Sequence, residues 1–261
     1  MDTAQYALVT GASSGIGLEF AKQLAAKGYG LILVARRLDR LQALKEEIQK
    51  TYAVPVEIVS QDLSVLDAAE QLFGVVQRQQ LDVEILINNA GFGIKDQFLV
   101  SDGKRMQDMV LLNINTLAQL TLLFGREFQR KKTGYILQVS SIAGFQASPG
   151  MAIYSATKAF VQSLGEALYF EFKKDNVHMT TLCPGTTLTE FFEVAGQNVP
   201  KHLQKLGMTA EIVASIGLKA LFAKKAVVLS GLSNKINMAL LRLIPRLWAA
   251  RIVGFVVRKA M

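Results

Sequence analysis

The chain of 261 residues is 51% hydrophobic and only 19% charged, with 20 Gly, 5 Pro and one Cys. Such a composition can bury enough apolar surface to offset the entropy of ordering, which excludes a disordered or fibrous chain and leaves room for one large core. The formal charge of +8 is uneven: nine of the 29 basic residues lie in 212–261, which holds no acidic residue, so the body is near neutral and the tail alone is basic. Those basic residues are not set on a recognised reading motif among stacking aromatics, which argues against nucleic acid as a partner.

Cys183 stands alone, so no internal disulfide can form, and no pair of thiols lies near His178 or His202 for a zinc site; no metal is expected. The thiol usage points to a reducing, cytoplasmic setting. The first five residues lack a basic stretch and run into apolar 6–9, so the chain is expected to open on a strand and not on a secretion signal.

In chain order, short Leu-rich or β-branched runs predict strands at 6–10, 31–34, 56–60, 85–87, 135–139, 179–182 and 226–229. Helical periodicity predicts helices at 15–27, 38–50, 65–79, 104–131, 151–174 and 209–222. The strands are apolar at both alternating positions, as a parallel sheet covered on two faces requires. The expected fold is therefore α/β, a doubly wound parallel sheet of seven strands. It forms one domain over 1–232, followed by a helical appendage at 233–261.

The first predicted strand ends in Thr10-Gly11-Ala12-Ser13-Ser14-Gly15-Ile16-Gly17 and a helix follows at once. Gly11 permits the tight turn, Gly15 lets backbone approach a pyrophosphate, and Gly17 permits close packing of helix on strand, with the helix N-terminus facing the anion. This is a Rossmann-type dinucleotide site. About twenty residues on, where an NAD site carries an acidic residue for the ribose hydroxyls, the second strand ends in Val34-Ala35-Arg36-Arg37. The Arg36 guanidinium is expected to pair with a 2′-phosphate, helped by the Ser13 and Ser14 hydroxyls, so NADP(H) is preferred over NAD(H).

From these motifs onward the chain resembles the classical short-chain dehydrogenase/reductases. The matching residues are the loop at 10–17, Asn88-Asn89-Ala90-Gly91 after the fourth strand, Asn113, Ser141, Tyr154-x-x-x-Lys158, and Pro184-Gly185 with Thr189. They fall in order and cover most of the chain.

Tyr154 and Lys158 stand four apart in a predicted helix, so both project from one face about one turn apart. A free phenol ionises near ~10, and a neighbouring ammonium with an oxidised nicotinamide is expected to lower that value. Tyr154 then serves as acid/base, giving a proton to a carbonyl oxygen as hydride arrives at carbon, or removing one from the alcohol. The resemblance implies that Lys158 also holds the nicotinamide ribose. It implies that Ser141 bonds the substrate oxygen, with Ser140 as competitor, and that Asn113 orders a water linking Lys158 to solvent, with Asn115 as near neighbour. It further implies Asp62 and Leu63 at the adenine, Asn89, Ala90 and Gly91 behind the cofactor, and Pro184, Gly185, Thr187 and Thr189 around the nicotinamide amide. Cys183 has no basic partner in sequence and reads as a small buried strand residue.

Ligands of open parallel sheets lie beyond the carboxyl ends of the strands. Here those loops carry Phe92, Phe145, Met151, Phe191 and Phe192, an apolar set suited to an apolar carbonyl or secondary alcohol of small to medium size. The segment 189–207 is expected to be a substrate lid.

The tail NMALLRLIPRLWAARIVGFVVRKAM is interrupted by Arg242, Arg246, Arg251 and Arg258, so no run reaches the length of a membrane span. Pro245 should divide it into two helices. In the second, Arg251 and Arg258 share a face, while Leu247, Trp248, Ile252, Phe255 and Val256 supply apolar area. That surface suits either peripheral contact with an anionic membrane or packing against the body or a second subunit. The family resemblance implies a homodimer or homotetramer built on the helices predicted at 104–131 and 151–174. The expected activity is a carbonyl/alcohol oxidoreductase; the rival reading is a dinucleotide-binding regulator or membrane-surface scaffold with little turnover.

Overall fold

A computed structural model describes residues 4–191, 195, 207–241 and 243–259, with side chains to Phe255. The lid expected at 189–207, with Phe192, falls largely outside the described residues, as do Arg242 and the side chains of Val256 and Arg258.

Seven parallel strands form the central sheet: β1 (Tyr6–Thr10), β2 (Gly30–Ala35), β3 (Val56–Ser60), β4 (Val83–Asn88), β5 (Gly134–Val139), β6 (Val177–Cys183), and, after two short strands described below, β9 (Val227–Leu229). Their order across the sheet is β3-β2-β1-β4-β5-β6-β9. The seven expected strands are all present, several of them a residue or two longer at an end because the parallel ladder continues through Gly30, Asn88 and Cys183.

The helices are α1 (Gly15–Ala25), α2 (Leu38–Thr51), α3 (Ala68–Arg78), α4 (Gly103–Val110), α5 (Leu117–Lys131), α6 (Ala152–Lys173), α7 (Ala210–Phe222), α8 (Leu232–Leu241) and α9 (Arg246–Lys259). Successive residues of β2 serve opposite faces. Leu31 and Leu33 pack with Phe20 and Leu24 of α1, Leu41 and Ile48 of α2, and Val213 and Leu221 of α7. Ile32 and Val34 pack with Leu72 of α3 and Phe124 and Phe128 of α5. Two cores, one per face, explain why the strands carry no polar alternation.

The chain winds outward from β1 through β2 to β3, then returns by α3 to β4 on the other side of β1. That reversal opens a crevice at the carboxyl ends of β1 and β4, the place where open α/β sheets bind ligands.

The helix expected at 104–131 is one long rod interrupted by a π-helical turn at Leu111–Thr116 between α4 and α5. Asp102 caps its start, accepting from Lys104 N at 2.8 Å and Arg105 N at 3.2 Å. The helix expected from residue 65 begins only at Ala68, because Asp62 first closes a turn by accepting from Ser64 N at 2.9 Å. A second sheet that periodicity did not suggest pairs β7 (Thr187–Leu188) with β8 (Met208–Thr209).

Pro245 does separate two helices, α8 and α9. Ala249 is buried, and a Cβ on Gly254 would lie 2.9 Å from the Pro149 ring, so this side of α9 rests on the body. Leu247 and Trp248 on it are exposed.

Candidate active site

A cleft of about 430 Å³ runs along the carboxyl edge of the sheet from the glycine loop to Tyr154. Of the residues expected at the cofactor, Gly11, Ser13, Ser14, Gly15, Ile16, Arg36, Asp62, Leu63, Asn89, Ala90, Gly91, Pro184, Gly185, Thr187 and Thr189 all line it, as do Ser141, Tyr154 and Lys158. Gly17 and Asn113 stand behind its wall. Phe92, Met151 and Phe191 line the cleft, whereas Phe145, expected there, does not.

At one end, the loop between β1 and α1 needs its glycines. Gly11 adopts φ +69°, in the left-handed region, and a Cβ on Gly17 would lie 2.2 Å from the Gly11 carbonyl oxygen. Ser14 is the N-cap of α1 but makes no side-chain capping bond; its hydroxyl accepts instead from Arg37 Nη2 at 2.9 Å. The donor set is that of an anion site: a helix N-terminus with a guanidinium beside it, and no carboxylate at the end of β2. A dinucleotide pyrophosphate fits it.

The guanidinium in contact with both serines belongs to Arg37, not Arg36. Arg37 donates from Nε and Nη2 to Ser13 Oγ, at 3.3 and 3.1 Å. Arg36 is exposed at the rim, where its charge acts on Asp62. Burial raises the Asp62 carboxyl, but the Ser64 hydroxyl and amide, aided by Arg36 and Lys104, outweigh burial and hold it below the usual carboxylate range.

The loops after β1 and β4 are tied together. Thr10 Oγ1 donates to Ile87 O at 3.2 Å and accepts from Asn89 N and Ala90 N, both at 3.0 Å, while Asn89 Nδ2 donates to Thr10 O at 2.9 Å. Thr10 was legible only as the first residue of the glycine motif; its role as a latch came from the fold.

At the other end, α6 carries Tyr154 and Lys158 one turn apart, both buried. The Ser141 hydroxyl stands near enough to the Tyr154 phenol to oppose the effect of burial on it, and Ser141 Oγ accepts from Ala143 N at 3.1 Å. Ser140 turns the other way and donates to Lys158 O at 2.8 Å, fastening the end of β5 to α6. The structure thus separates the two serines: one faces the phenol, the other the helix backbone.

Burial is the largest influence on both the Tyr154 and the Lys158 side chain. It pushes the Tyr154 phenol up to about 12, against the smaller opposing effect of the Ser141 hydroxyl. Lys158 supplies no visible lowering. Its Nζ donates to Val139 O at 2.8 Å and lies 5.9 Å from the Tyr154 ring centre. Burial pushes Lys158 itself down to about 8, with Cys183 acting weakly in the other direction. Desolvation of both side chains outweighs their mutual effect.

Asn113 sits on the π-helical turn and is fully buried. Its Nδ2 donates to Phe92 O at 2.9 Å and Thr157 Oγ1 at 3.1 Å, and its Oδ1 accepts from Phe92 N at 3.2 Å. A Cβ on Gly91 would lie 3.0 Å from Asn113 Oδ1 and 3.5 Å from Lys158 Nζ, so both groups border the same small space. Asn115 points elsewhere, donating to Leu66 O at 3.3 Å.

Cys183 is buried on β6 and donates from Sγ to Gln162 Oε1 at 2.8 Å. Burial pushes its thiol up to about 12, the state of an inert core residue. The Phe191 ring lies 5.4 Å from that of Tyr154 and covers it. Two lining residues that motif reading passed over are Arg37 and Glu190, which pair at 2.8 Å.

Comparison with known proteins places this arrangement. The sequence profile described as short chain dehydrogenase matches residues 5–200. The very-long-chain 3-oxoacyl-CoA reductase of Coccidioides immitis (strain RS) is 38% identical over 181 residues, 67% of this chain and 51% of that protein. This chain thus spans about half the length of the 3-oxoacyl-CoA reductases it matches. A solved 7beta-hydroxysteroid dehydrogenase superposes with a TM-score of 0.88 at 26% identity, covering 96% of each chain. A short-chain dehydrogenase from Sphingobium yanoikuyae in complex with NADPH superposes with a TM-score of 0.81 at 28% identity, covering 93% of this chain and 97% of that one. The profile match takes in most of the sequence and every residue that lines the cleft. The chain therefore belongs to the short chain dehydrogenase family.

Proposed function

We propose that the protein is an NADP(H)-dependent oxidoreductase that interconverts a carbonyl and a secondary alcohol on an apolar substrate of small to medium size. The observation that carries this reading is the placement of Ser141, Tyr154 and Lys158 together on one cleft whose far end is the glycine loop. A bound nicotinamide would supply or accept the hydride. Tyr154, its phenol held protonated by burial, gives its proton to a carbonyl oxygen that Ser141 also holds. Lys158 and Asn113 border the space beside Gly91 from which that proton is replaced.

The NADP(H) preference is supported by Arg37 and the Ser13 and Ser14 hydroxyls, and by the lack of a carboxylate at the end of β2. The NADPH complex of the Sphingobium relative agrees with it. Phe92, Leu112, Ile142, Met151 and Phe191 make the substrate end apolar. Hydroxysteroids and long-chain 3-oxoacyl groups, named for two of the relatives, have that character. A cofactor-binding regulator or scaffold has no use for Ser141 set beside a buried Tyr154 and Lys158, so turnover is the preferred reading.

The test is titration with NADPH and NADH, followed by loss of reduced-nicotinamide absorbance with a panel of apolar ketones and aldehydes. Tyr154→Phe should bind NADPH within about twofold of wild type and lose turnover roughly 10²- to 10⁴-fold. Turnover retained in that variant would overturn the role of Tyr154; tight NADPH binding without turnover across the panel would favour the regulator.

A further inference from the structure

Glu190, the residue after Thr189, stands at the adenosine end of the cleft with its two carboxylate oxygens on different arginines. Oε2 accepts from Arg37 Nη1 at 2.8 Å and Oε1 accepts from Arg40 Nη1. Arg37 is the N-cap of α2 and Arg40 lies three residues on, so the two guanidinium groups face the carboxylate from one side of the same helix end. On its other edge Arg37 donates to the Ser13 and Ser14 hydroxyls. Arg40 and Arg37 hold Glu190 below the usual carboxylate range, so it is ionised at neutral pH.

A carboxylate here is an anion in an anion site. The three side chains are 38–43% exposed, so each pair is weak and can exchange for a better partner. A phosphate dianion, with more charge and three acceptor oxygens, is such a partner for two guanidinium groups.

We propose that Arg37 and Arg40 together form the clamp for the cofactor's 2′-phosphate, and that Glu190 occupies the clamp as an internal competitor, so that this carboxylate sets the selectivity between NADPH and NADH. The proposal rests on the NADP(H) reading above and adds two residues to it. Arg40 becomes a phosphate ligand that the motif does not name. Glu190 becomes a selectivity residue on the wall opposite β2.

The experiment measures dissociation constants of NADPH, NADH and 2′,5′-ADP for wild type, Glu190→Gln, Arg40→Ala and Arg37→Ala. Glu190→Gln should tighten NADPH and 2′,5′-ADP roughly three- to tenfold and leave NADH within about twofold. Arg40→Ala should weaken the two phosphate-bearing ligands by roughly the same factor and spare NADH. A merely structural role for Glu190 would move all three ligands together. The inference fails if Glu190→Gln leaves NADPH unchanged while Arg37→Ala weakens it; the NADP(H) reading then survives alone. Weaker NADH binding in Glu190→Gln would mean that the carboxylate holds the ribose hydroxyls, which also overturns competition. If Arg37→Ala leaves the NADPH to NADH ratio unchanged, the NADP(H) reading itself is lost.

Discussion

Thr10 and Asn89 hold each other across the switch between β1 and β4: the threonine hydroxyl accepts the Asn89 backbone N–H at 3.0 Å, and the Asn89 side chain donates to the Thr10 carbonyl at 2.9 Å. The glycine loop and the Asn-Asn-Ala-Gly turn thereby become one rigid edge. A dinucleotide lying along that edge meets backbone already fixed in place.

Thr10→Val keeps the shape and removes the acceptor for two backbone N–H groups, those of Asn89 and Ala90. It should lower unfolding stability by about 1–3 kcal/mol, because the part-buried Ala90 N–H loses its acceptor and the Asn89 N–H keeps only the Ile87 carbonyl. NADPH and NADH affinity should fall together, since the latch lies away from the 2′-position. Urea unfolding and paired cofactor titrations check both; a variant as stable as wild type would show that the latch is not a structural tie.

The two consecutive arginines after β2 are predicted to behave differently. Arg37→Ala removes a guanidinium bonded to Ser13 and Ser14 and should weaken NADPH roughly tenfold or more relative to NADH. Arg36→Ala removes an exposed charge at the rim and should change the same ratio only about two- to threefold. The reverse ranking, read from the two dissociation constants, would return the phosphate to Arg36.

Cys183 should be silent in the native protein. Its thiol is buried, pushed up to about 12 and bonded to Gln162. A disulfide reagent should label it at least roughly a hundredfold more slowly in buffer than in denaturant, and Cys183→Ala should keep turnover within about twofold. Rapid native labelling would mean that β6 opens far more readily than its place in the sheet implies.

How much of this was legible in the residues divides along physical lines. Strands buried on both faces announce themselves by unbroken apolar runs, so the sheet and its direction follow from 6–10, 31–34 and their successors. Motif spacing brought out Tyr154, Lys158 and the glycine loop because each lies on one continuous element. The resemblance favoured Ser141 over Ser140 and Asn113 over Asn115, but what sets the neighbours apart physically was not legible. Ser140 and Ser141 differ only in which side of the β5 exit they face, and Asn113 and Asn115 only in how the π-helical turn rotates them. Glu190 was invisible for a different reason: it reaches Arg37 across 153 residues of sequence, and only the sheet edge brings the two loops together. The weight of burial at Tyr154 was not legible, because spacing reports proximity to Lys158 and says nothing of burial.

Lys158 makes stability depend on pH with a definite sign. Its side chain titrates near 10.5 in the ordinary state and is pushed down to about 8 in the fold by burial. Between those values the unfolded chain binds a proton that the native protein has released, so stability rises with pH across that window. The stabilising contribution is complete above the ordinary value and is lost as pH falls through about 8. Tyr154 acts in the opposite direction but only higher, since its phenol is raised from 10.0 to about 12 and its contribution is lost on going up through that range. Lys158→Met keeps an apolar side chain of similar length and removes the titration. It also leaves the Val139 carbonyl without its donor, a cost that does not change with pH. Urea unfolding of both proteins at about pH 7 and about pH 10 should show wild type gaining on the variant as pH rises. A difference that stays flat would mean that the buried ammonium keeps its proton through the window, and the downward shift of Lys158 would be wrong.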